Sequence, residues 1–235
     1  MKQFLGKIKI LDATTLKIIA IISMTIDHTG LIFFHNNYFM RSIGRIAMPI
    51  FSFFISEGYI KTKNRKKYLT RLGVFALISE IPFDLAFFGR INPGYQNIMF
   101  TFFISVLALM TFDLICGKPE KTETVYKVPR TLLGIIAAGS IGTVSVLLRT
   151  DYGIVAVLCV LIFYLFRNSK QWIRSLSGTA FLTVTNPKSF SVYAGLGFIP
   201  LLLYNGKKGK GLKWLFYIFY PGHLLILFLI KNIFF

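Results

Sequence analysis

Asp27 and His28 are adjacent polar residues inside an apolar stretch, and they form the first pair whose types could do chemistry. A carboxylate in the same turn region as an imidazole favours proton uptake by the ring, which is the usual arrangement for a general base. The alternative is that His28 is a buried histidine whose hydrogen bonds are satisfied within the core. The pair therefore predicts acid–base chemistry at this point of the chain.

Further ionisable residues lie in the apolar stretches that follow. A charge near the middle of a bilayer costs about 2.5 to 3.5 kcal/mol, so each such residue needs a partner or a purpose. The candidates are Asp27, His28, Arg45, Glu57, Glu80, Asp84, Asp113 and His223. A structural interpretation is also open, because Arg45 could pair with Asp27 or Asp84 and lock helices together. Asp113, near a predicted helix end, is expected to reach water.

A polar stripe runs along the second apolar stretch with the spacing of one helix face. It comprises Arg45, Pro49, Ser52, Ser56 and Tyr59. A polar stripe in lipid must face protein, so these residues are predicted to point inward. Glu57 lies off the stripe by about a third of a turn and is expected to meet a different neighbour. Prolines inside four stretches, among them Pro49 and Pro221, predict kinks near a polar cavity.

The elements that must position these residues are membrane helices. Hydrophobic residues make up 54% of the 235 residues, more than a water-soluble fold can bury. Runs of roughly 20 apolar residues predict about nine transmembrane helices. They lie near residues 14–35, 42–60, 70–89, 98–116, 132–148, 152–166, 172–186, 189–204 and 214–233. The predicted fold is an all-α, polytopic helical bundle in the cell membrane, with residues 1–235 as a single domain.

The excess of positive charge has a distribution that indicates membrane topology. The chain carries 27 basic and 9 acidic residues, and the basic ones crowd alternate loops. The richer loops hold Lys61, Lys63, Arg65, Lys66, Lys67 and Arg71, then Lys118, Lys121, Lys127 and Arg130, then Arg167, Lys170 and Arg174, then Lys207, Lys208, Lys210 and Lys213. The other loops offer Arg41, Arg90, Arg149 and Lys188, one apiece. This alternation predicts a cytoplasmic amino terminus and no nucleic-acid partner.

Cys116 and Cys159 lack zinc-type spacing, so no metal site is predicted.

Three sequence runs together resemble the TraX family. They are IIAIISMTIDHTG at 18–30, IGRIAMPIFSFFISEGYIKTKNRKKYLTRL at 43–72 and FYIFYPGHLLIL at 216–227. TraX is associated with the N-terminal acetylation of F-pilin, so the resemblance implies acyl transfer. Asp27 and His28 match the family's DH pair, Arg45 its GR, Glu57 to Tyr59 its EGY, and His223 the late histidine.

The hypothesis that follows from the resemblance is an integral membrane acetyltransferase. Acetyl-CoA would dock at the basic second loop on the cytoplasmic side and supply the acetyl group. His28, oriented by Asp27, would act as base or carry the acetyl group, and Arg45 would stabilise the carbonyl oxygen. The residues expected to bind substrate are Glu57, Tyr59, Glu80, Asp84 and His223. The acceptor is expected to be an amine or hydroxyl, on a protein N-terminus or a glycan, at or beyond the outer face.

Two other functions fit part of the pattern. Asp, Glu and His residues inside membrane helices also make proton relays, as in a proton-coupled transporter. The two halves of the chain show no matching pair of helices broken by Gly or Pro, which speaks against a transporter built from inverted repeats. A membrane scaffold, in which the polar residues only specify helix packing, is the third possibility.

Overall fold

The computed structural model of the chain describes residues 9–117, 128–185 and 191–234. In chain order these residues form α1 (Ala13–Ile32), α2 (Tyr38–Gly44), α3 (Ala47–Lys61), α4 (Arg65–Phe88), α5 (Ile98–Cys116), α6 (Val128–Leu147), α7 (Gly153–Leu165), α8 (Gln171–Thr185), a 3-10 helix (Ser191–Gly197), α9 (Phe198–Leu202) and α10 (Lys213–Phe234). Lys118, Lys121, Lys127 and Lys188 lie outside the described residues. The described part of the chain is thus all-α, as predicted.

Polar side chains at the helix starts set several of the boundaries. Asp12, Asn37, Asn64 and Asn97 each precede a helix and accept a hydrogen bond from a backbone N–H in its first turn. Such caps satisfy donors that have no partner inside the helix. At the other end of α4, Gly89 adopts φ of +67°, the left-handed conformation that commonly ends helices.

The predicted continuous helix over 42–60 is interrupted, and that part of the prediction was wrong. α2 ends at Gly44 and α3 begins at Ala47, so Arg45 lies in the joint between them. The cause is Pro49, which has no N–H to donate to the carbonyl of Arg45 and whose ring would clash with that carbonyl in a regular helix. The inward direction of the polar stripe is confirmed, because Ser52, Ser56 and Tyr59 are fully buried.

Within the described part of the chain, four helices are long and apolar enough to cross a membrane: α1, α5, α6 and α10. Gly153–Leu165 and Val192–Leu202 are shorter apolar segments. α5 lies inside the bundle and contacts α3, α4, α6 and α7, whereas α10 packs against α4 and α1. Large apolar side chains are exposed on the outer helix faces, as expected for surfaces in contact with lipid. The bundle is therefore that of a membrane protein, and the count of nine spans stays a prediction.

Loops that the charge pattern assigns to the same side of the membrane contact one another. At one end of the bundle, Lys61 Nζ donates to the carbonyl oxygen of Gly206 at 3.2 Å, and Leu11 N donates to Leu203 at 3.1 Å. At the opposite end, Gln96 N donates to the carbonyl oxygen of Arg149 at 3.2 Å. The first of these ends is called the lysine end below, because it gathers the basic loops that follow α3 and precede α10.

The single substitutions Lys63→Cys and Lys231→Cys test the predicted orientation of the chain in the membrane. Lys63 lies at the lysine end and Lys231 in the last turn of α10, and both are exposed. In a chain with Cys116 and Cys159 replaced by alanine, a membrane-impermeant maleimide should label Lys231→Cys in right-side-out vesicles. Lys63→Cys should be labelled only after the vesicles are opened. Labelling of both from the same side would contradict the predicted topology.

Candidate active site

Two histidines far apart in sequence are joined by a hydrogen bond. His28 of α1 and His223 of α10 approach to 2.8 Å between Nδ1 and Nε2, and their rings are stacked. The Nδ1 atom of His223 lies 2.9 Å from the carbonyl oxygen of Phe219. A carbonyl oxygen only accepts, so His223 Nδ1 carries the hydrogen and His223 Nε2 accepts from His28 Nδ1–H. This network assigns a lone pair to His28 Nε2.

Aromatic rings fix the orientation of both imidazoles. Phe219 stacks on His223 with ring centroids 5.0 Å apart, and the edge of His28 meets Phe87 at 5.1 Å. His223 is buried, whereas His28 is half-buried and lines a cavity. The structure thus brings together His28, the expected base, and His223, one of the residues expected to bind substrate.

The cavity that His28 lines has a volume of about 1030 Å³ and lies between α1, α3, α4 and α10. It follows α1 from Thr14 to Leu31, which is about 25 Å at the rise of an α-helix. Its lysine end is lined by Lys17, Lys61, Lys67, Lys208 and Lys210. Its opposite end holds Asp27, His28, Arg41, Arg45 and Tyr152, and apolar side chains line the section between. Both ends therefore carry charged groups, and the section between them is largely apolar.

Asp27 contacts arginines, and this corrects the expectation that it orients His28. Its carboxylate accepts from Arg41 at 2.8 Å and from Arg45 at 3.0 Å. Consecutive residues on a helix point about 100° apart, so neighbours in sequence do not face each other. His28 therefore turns toward α10, and Asp27 turns toward the joint between α2 and α3.

Arg41 and Tyr152 are residues of this cluster that the sequence analysis missed. Arg45 Nη1 donates to the hydroxyl of Tyr152 at 2.6 Å, so the guanidinium is held from two sides. The four-residue spacing of Arg41 and Arg45 was a usable signal, since it brings two side chains to one face. Gly44 lies against the side chain of Asp27 and leaves no room for a Cβ atom, which explains the close approach of α2 to α1.

Glu57 belongs to a separate, buried ion pair. Arg174 Nη1 approaches Glu57 at 2.5 Å, and Lys61 Nζ approaches it at 2.7 Å. Arg174 also donates to the hydroxyl of Ser56 at 3.2 Å. Among the described residues that line the cavity, Glu57 is absent, so its predicted contact with substrate is not supported by its position. Arg174, which the charge pattern placed in a loop, is buried in the first turns of α8.

Tyr59 and Asp113 form a third polar cluster, also away from the cavity. Asp113 accepts from Tyr59 at 2.9 Å, from Tyr164 at 2.5 Å and from Arg65 at 2.6 Å. It is 6% exposed, so the expectation that Asp113 reaches water was wrong. Its position near a helix end suggested exposure, but α3, α4 and α7 surround it with donors. Tyr59 was expected to bind substrate, but its hydroxyl donates to Asp113 in this cluster.

Glu80 and Asp84 hold the loop between α4 and α5. Glu80 accepts from the side chain of Asn97, the residue that caps α5. Asp84 accepts from the backbone N–H of Asn92 at 2.8 Å. Neither acid is among the described residues that line the cavity, so the structure does not bring them to His28 as expected. Asp84 pairs with backbone and not with Arg45.

The pair of His28 and His223, opening on a cavity inside a bundle of apolar helices, defines a membrane protein with an internal polar site. The chain belongs to the TraX family, whose description is "TraX protein" and which it matches over residues 12–231.

Two relatives are similar to the chain. The first is a probable fimbrial assembly protein FimC, serogroup H1, of Dichelobacter nodosus, 30% identical over 249 residues, which covers 92% of this chain and 94% of that protein. The second is an uncharacterized protein of Rickettsia prowazekii (strain Madrid E), 34% identical over 99 residues, which covers 42% of this chain and 33% of that one. No solved structure matches.

The pair of Glu57 and Arg174 predicts a coupled effect on stability. Glu57→Gln should lower the free energy of unfolding by about 3 kcal/mol, because it leaves the buried guanidinium of Arg174 without its carboxylate. The double variant Glu57→Gln, Arg174→Met should recover at least half of that loss. Thermal unfolding in detergent measures both, with Lys66→Gln as an exposed control. A double variant that loses the sum of the two single effects would refute the coupling.

Proposed function

We propose that this protein is a membrane acyltransferase in which His28 is the general base. The acetyl group of acetyl-CoA is transferred to an amine or hydroxyl acceptor. The observation that carries this proposal is the hydrogen-bond chain from Phe219 through His223 to His28. It leaves the Nε2 atom of His28 as an acceptor on the cavity wall.

In the reaction, His28 first accepts a proton from the acceptor and then donates it to the leaving thiolate. The acceptor N–H or O–H donates to Nε2 of His28, and its nitrogen or oxygen attacks the carbonyl carbon of the thioester. His28 takes the proton as the new bond forms, and its Nδ1–H continues to donate to His223. When the bond to sulfur breaks, the proton passes from His28 to the departing thiolate. His223 acts as a positioning residue, because it fixes which nitrogen of His28 carries a hydrogen.

Arg45 is proposed to stabilise the negative charge that develops on the carbonyl oxygen. Support comes from its place on the same cavity wall as His28, in a position fixed by Asp27 and Tyr152. A donor held in place before the reaction stabilises charge without reorganisation. Arg41 adds a second guanidinium to that wall. Asp27 is then the residue that holds both arginines.

The acceptor is proposed to be a pilus subunit that offers its N-terminal amine. This rests on family membership and on the name of the Dichelobacter nodosus relative, which is a probable fimbrial assembly protein. That name favours a protein acceptor over a glycan. The cavity supports access from two sides, because it extends from the lysine end to the cluster around Arg45. Acetyl-CoA would enter at the lysine end, which the charge pattern assigns to the cytoplasm.

His28→Asn tests the proposal directly. Purified protein in nanodiscs, with acetyl-CoA and a peptide bearing a free N-terminal amine, should transfer acetyl groups detectable by mass spectrometry. The variant should lose about 10²- to 10⁴-fold in rate, the contribution of a general base. His35→Asn is the matched control, because His35 is exposed and asparagine tolerates its positive φ.

Two outcomes would contradict the proposal. Transfer by His28→Asn at the parental rate would remove the assigned role of His28. Counterflow of a substrate in proteoliposomes without any acyl donor, together with no acetyl transfer by the parental protein, would favour the transporter. In that case the histidine pair would be a proton relay.

A further inference from the structure

Lys17 is a basic residue at the start of the second turn of α1, with its side chain on the cavity wall. Its ammonium group lies 5.1 Å from the ring centroids of both Phe54 and Phe216. Among the described residues, no carboxylate forms a salt bridge with it. Two aromatic faces hold the ammonium group in place but do not neutralise its charge.

The groups around Lys17 add positive charge. Lys61, Lys67, Lys208 and Lys210 line the same end of the cavity. The loop that carries Lys208 and Lys210 is fixed to α1, because Thr14 Oγ1 donates to their carbonyl oxygens at 3.1 and 2.7 Å. This end of the cavity is therefore a preformed cluster of cations.

The two carboxylates near this end among the described residues, Glu57 and Asp12, are already engaged. Glu57 is paired with Arg174 and Lys61. Asp12 caps α1 by accepting from the backbone N–H of Thr15 at 2.8 Å. Neither acid is among the described residues that line the cavity. A bound anion with several negative charges would supply the missing compensation, and phosphate groups are the usual ligands of such lysine clusters.

The spacing between Lys17 and His28 gives the length of that ligand. Both residues are on α1, eleven residues apart, which is close to three full turns, so they share one face. At the rise of an α-helix they are about 16 Å apart. The pantetheine arm of coenzyme A joins the diphosphate to the sulfur through about a dozen bonds, including two amides, and spans roughly 14 Å when extended like a peptide.

We propose that Lys17, together with Lys208 and Lys210, binds the phosphate groups of coenzyme A, and that α1 sets the distance from these phosphates to His28. This inference rests on the proposed function and names the donor subsite within it. The thioester of a donor anchored at Lys17 reaches His28 only through a pantetheine arm of full length. The apolar section between the two residues accommodates that arm. A lipid headgroup offers the same phosphate chemistry without the arm or the thioester.

The test compares two donors and two variants. Acetyl-CoA carries the phosphates, and S-acetyl-pantetheine carries the same thioester and arm without them. Lys17→Met should raise KM for acetyl-CoA at least about tenfold, the effect of losing a hydrogen bond between charged groups, with a small change in kcat. It should leave the kinetics with S-acetyl-pantetheine unchanged. Lys231→Met removes a charge from the wall of the same cavity on the last turn of α10 and should alter neither donor.

Direct binding of coenzyme A, measured by calorimetry in nanodiscs of neutral lipid, supplies a readout that does not depend on transfer. Lys17→Met should raise Kd at least about tenfold, and Lys17→Arg should bind within about threefold of the parental protein. An unchanged Kd in Lys17→Met, or an equal change in KM for both donors, would overturn the assignment. An effect of Lys17→Met that needs anionic lipid would assign the cluster to lipid headgroups and also overturn it. Absence of transfer by the parental protein with normal coenzyme A binding would instead refute the proposed function alone.

Discussion

The carboxylate of Asp27 joins α1 to the joint between α2 and α3, and the geometry of the candidate site depends on this contact. An unpaired charge in this part of a membrane protein is costly, so the two arginines and the aspartate stabilise each other only while together. Gly44 lets the chain approach closely enough for this. His28 follows Asp27 on the same helix, so the pairing of Asp27 fixes the direction in which His28 points.

The helices and the polar stripe could be predicted because both depend on local sequence. The apolar run at 98–116 coincides with α5, and the inward direction of Ser52 and Ser56 follows from helical spacing. Predicting the helix break at Arg45 needed one more step of reasoning. Pro49 predicted a kink, but the place of the break lies one turn earlier, at the carbonyl that the proline leaves without a donor.

The partners of the ionisable residues could not be predicted, since they come from distant parts of the chain. His28 and His223 are 195 positions apart, and Glu57 and Arg174 are 117 apart. Sequence proximity even misled, because it suggested Asp27 as the partner of His28. Arg174 was also missed as a partner. Its basic side chain fitted the alternation of charged loops, so nothing in the sequence marked it as the partner of a buried acid.

The polar groups inside the bundle divide by the surfaces they face. Arg174 neutralises Glu57, and Arg65 neutralises Asp113, which also accepts a hydrogen bond from Tyr59. The contacts of Glu57 and Tyr59 hold α3 against α8 and α5. The groups on the cavity wall lie at its two ends, separated by an apolar section in which a lone charge is costly. Passage of ions through this section is therefore unfavourable, whereas a long and largely uncharged group such as the pantetheine arm of coenzyme A is not excluded by the same cost. Since Lys17 and His28 lie on one rigid helix, the distance between the ends does not depend on loop conformation.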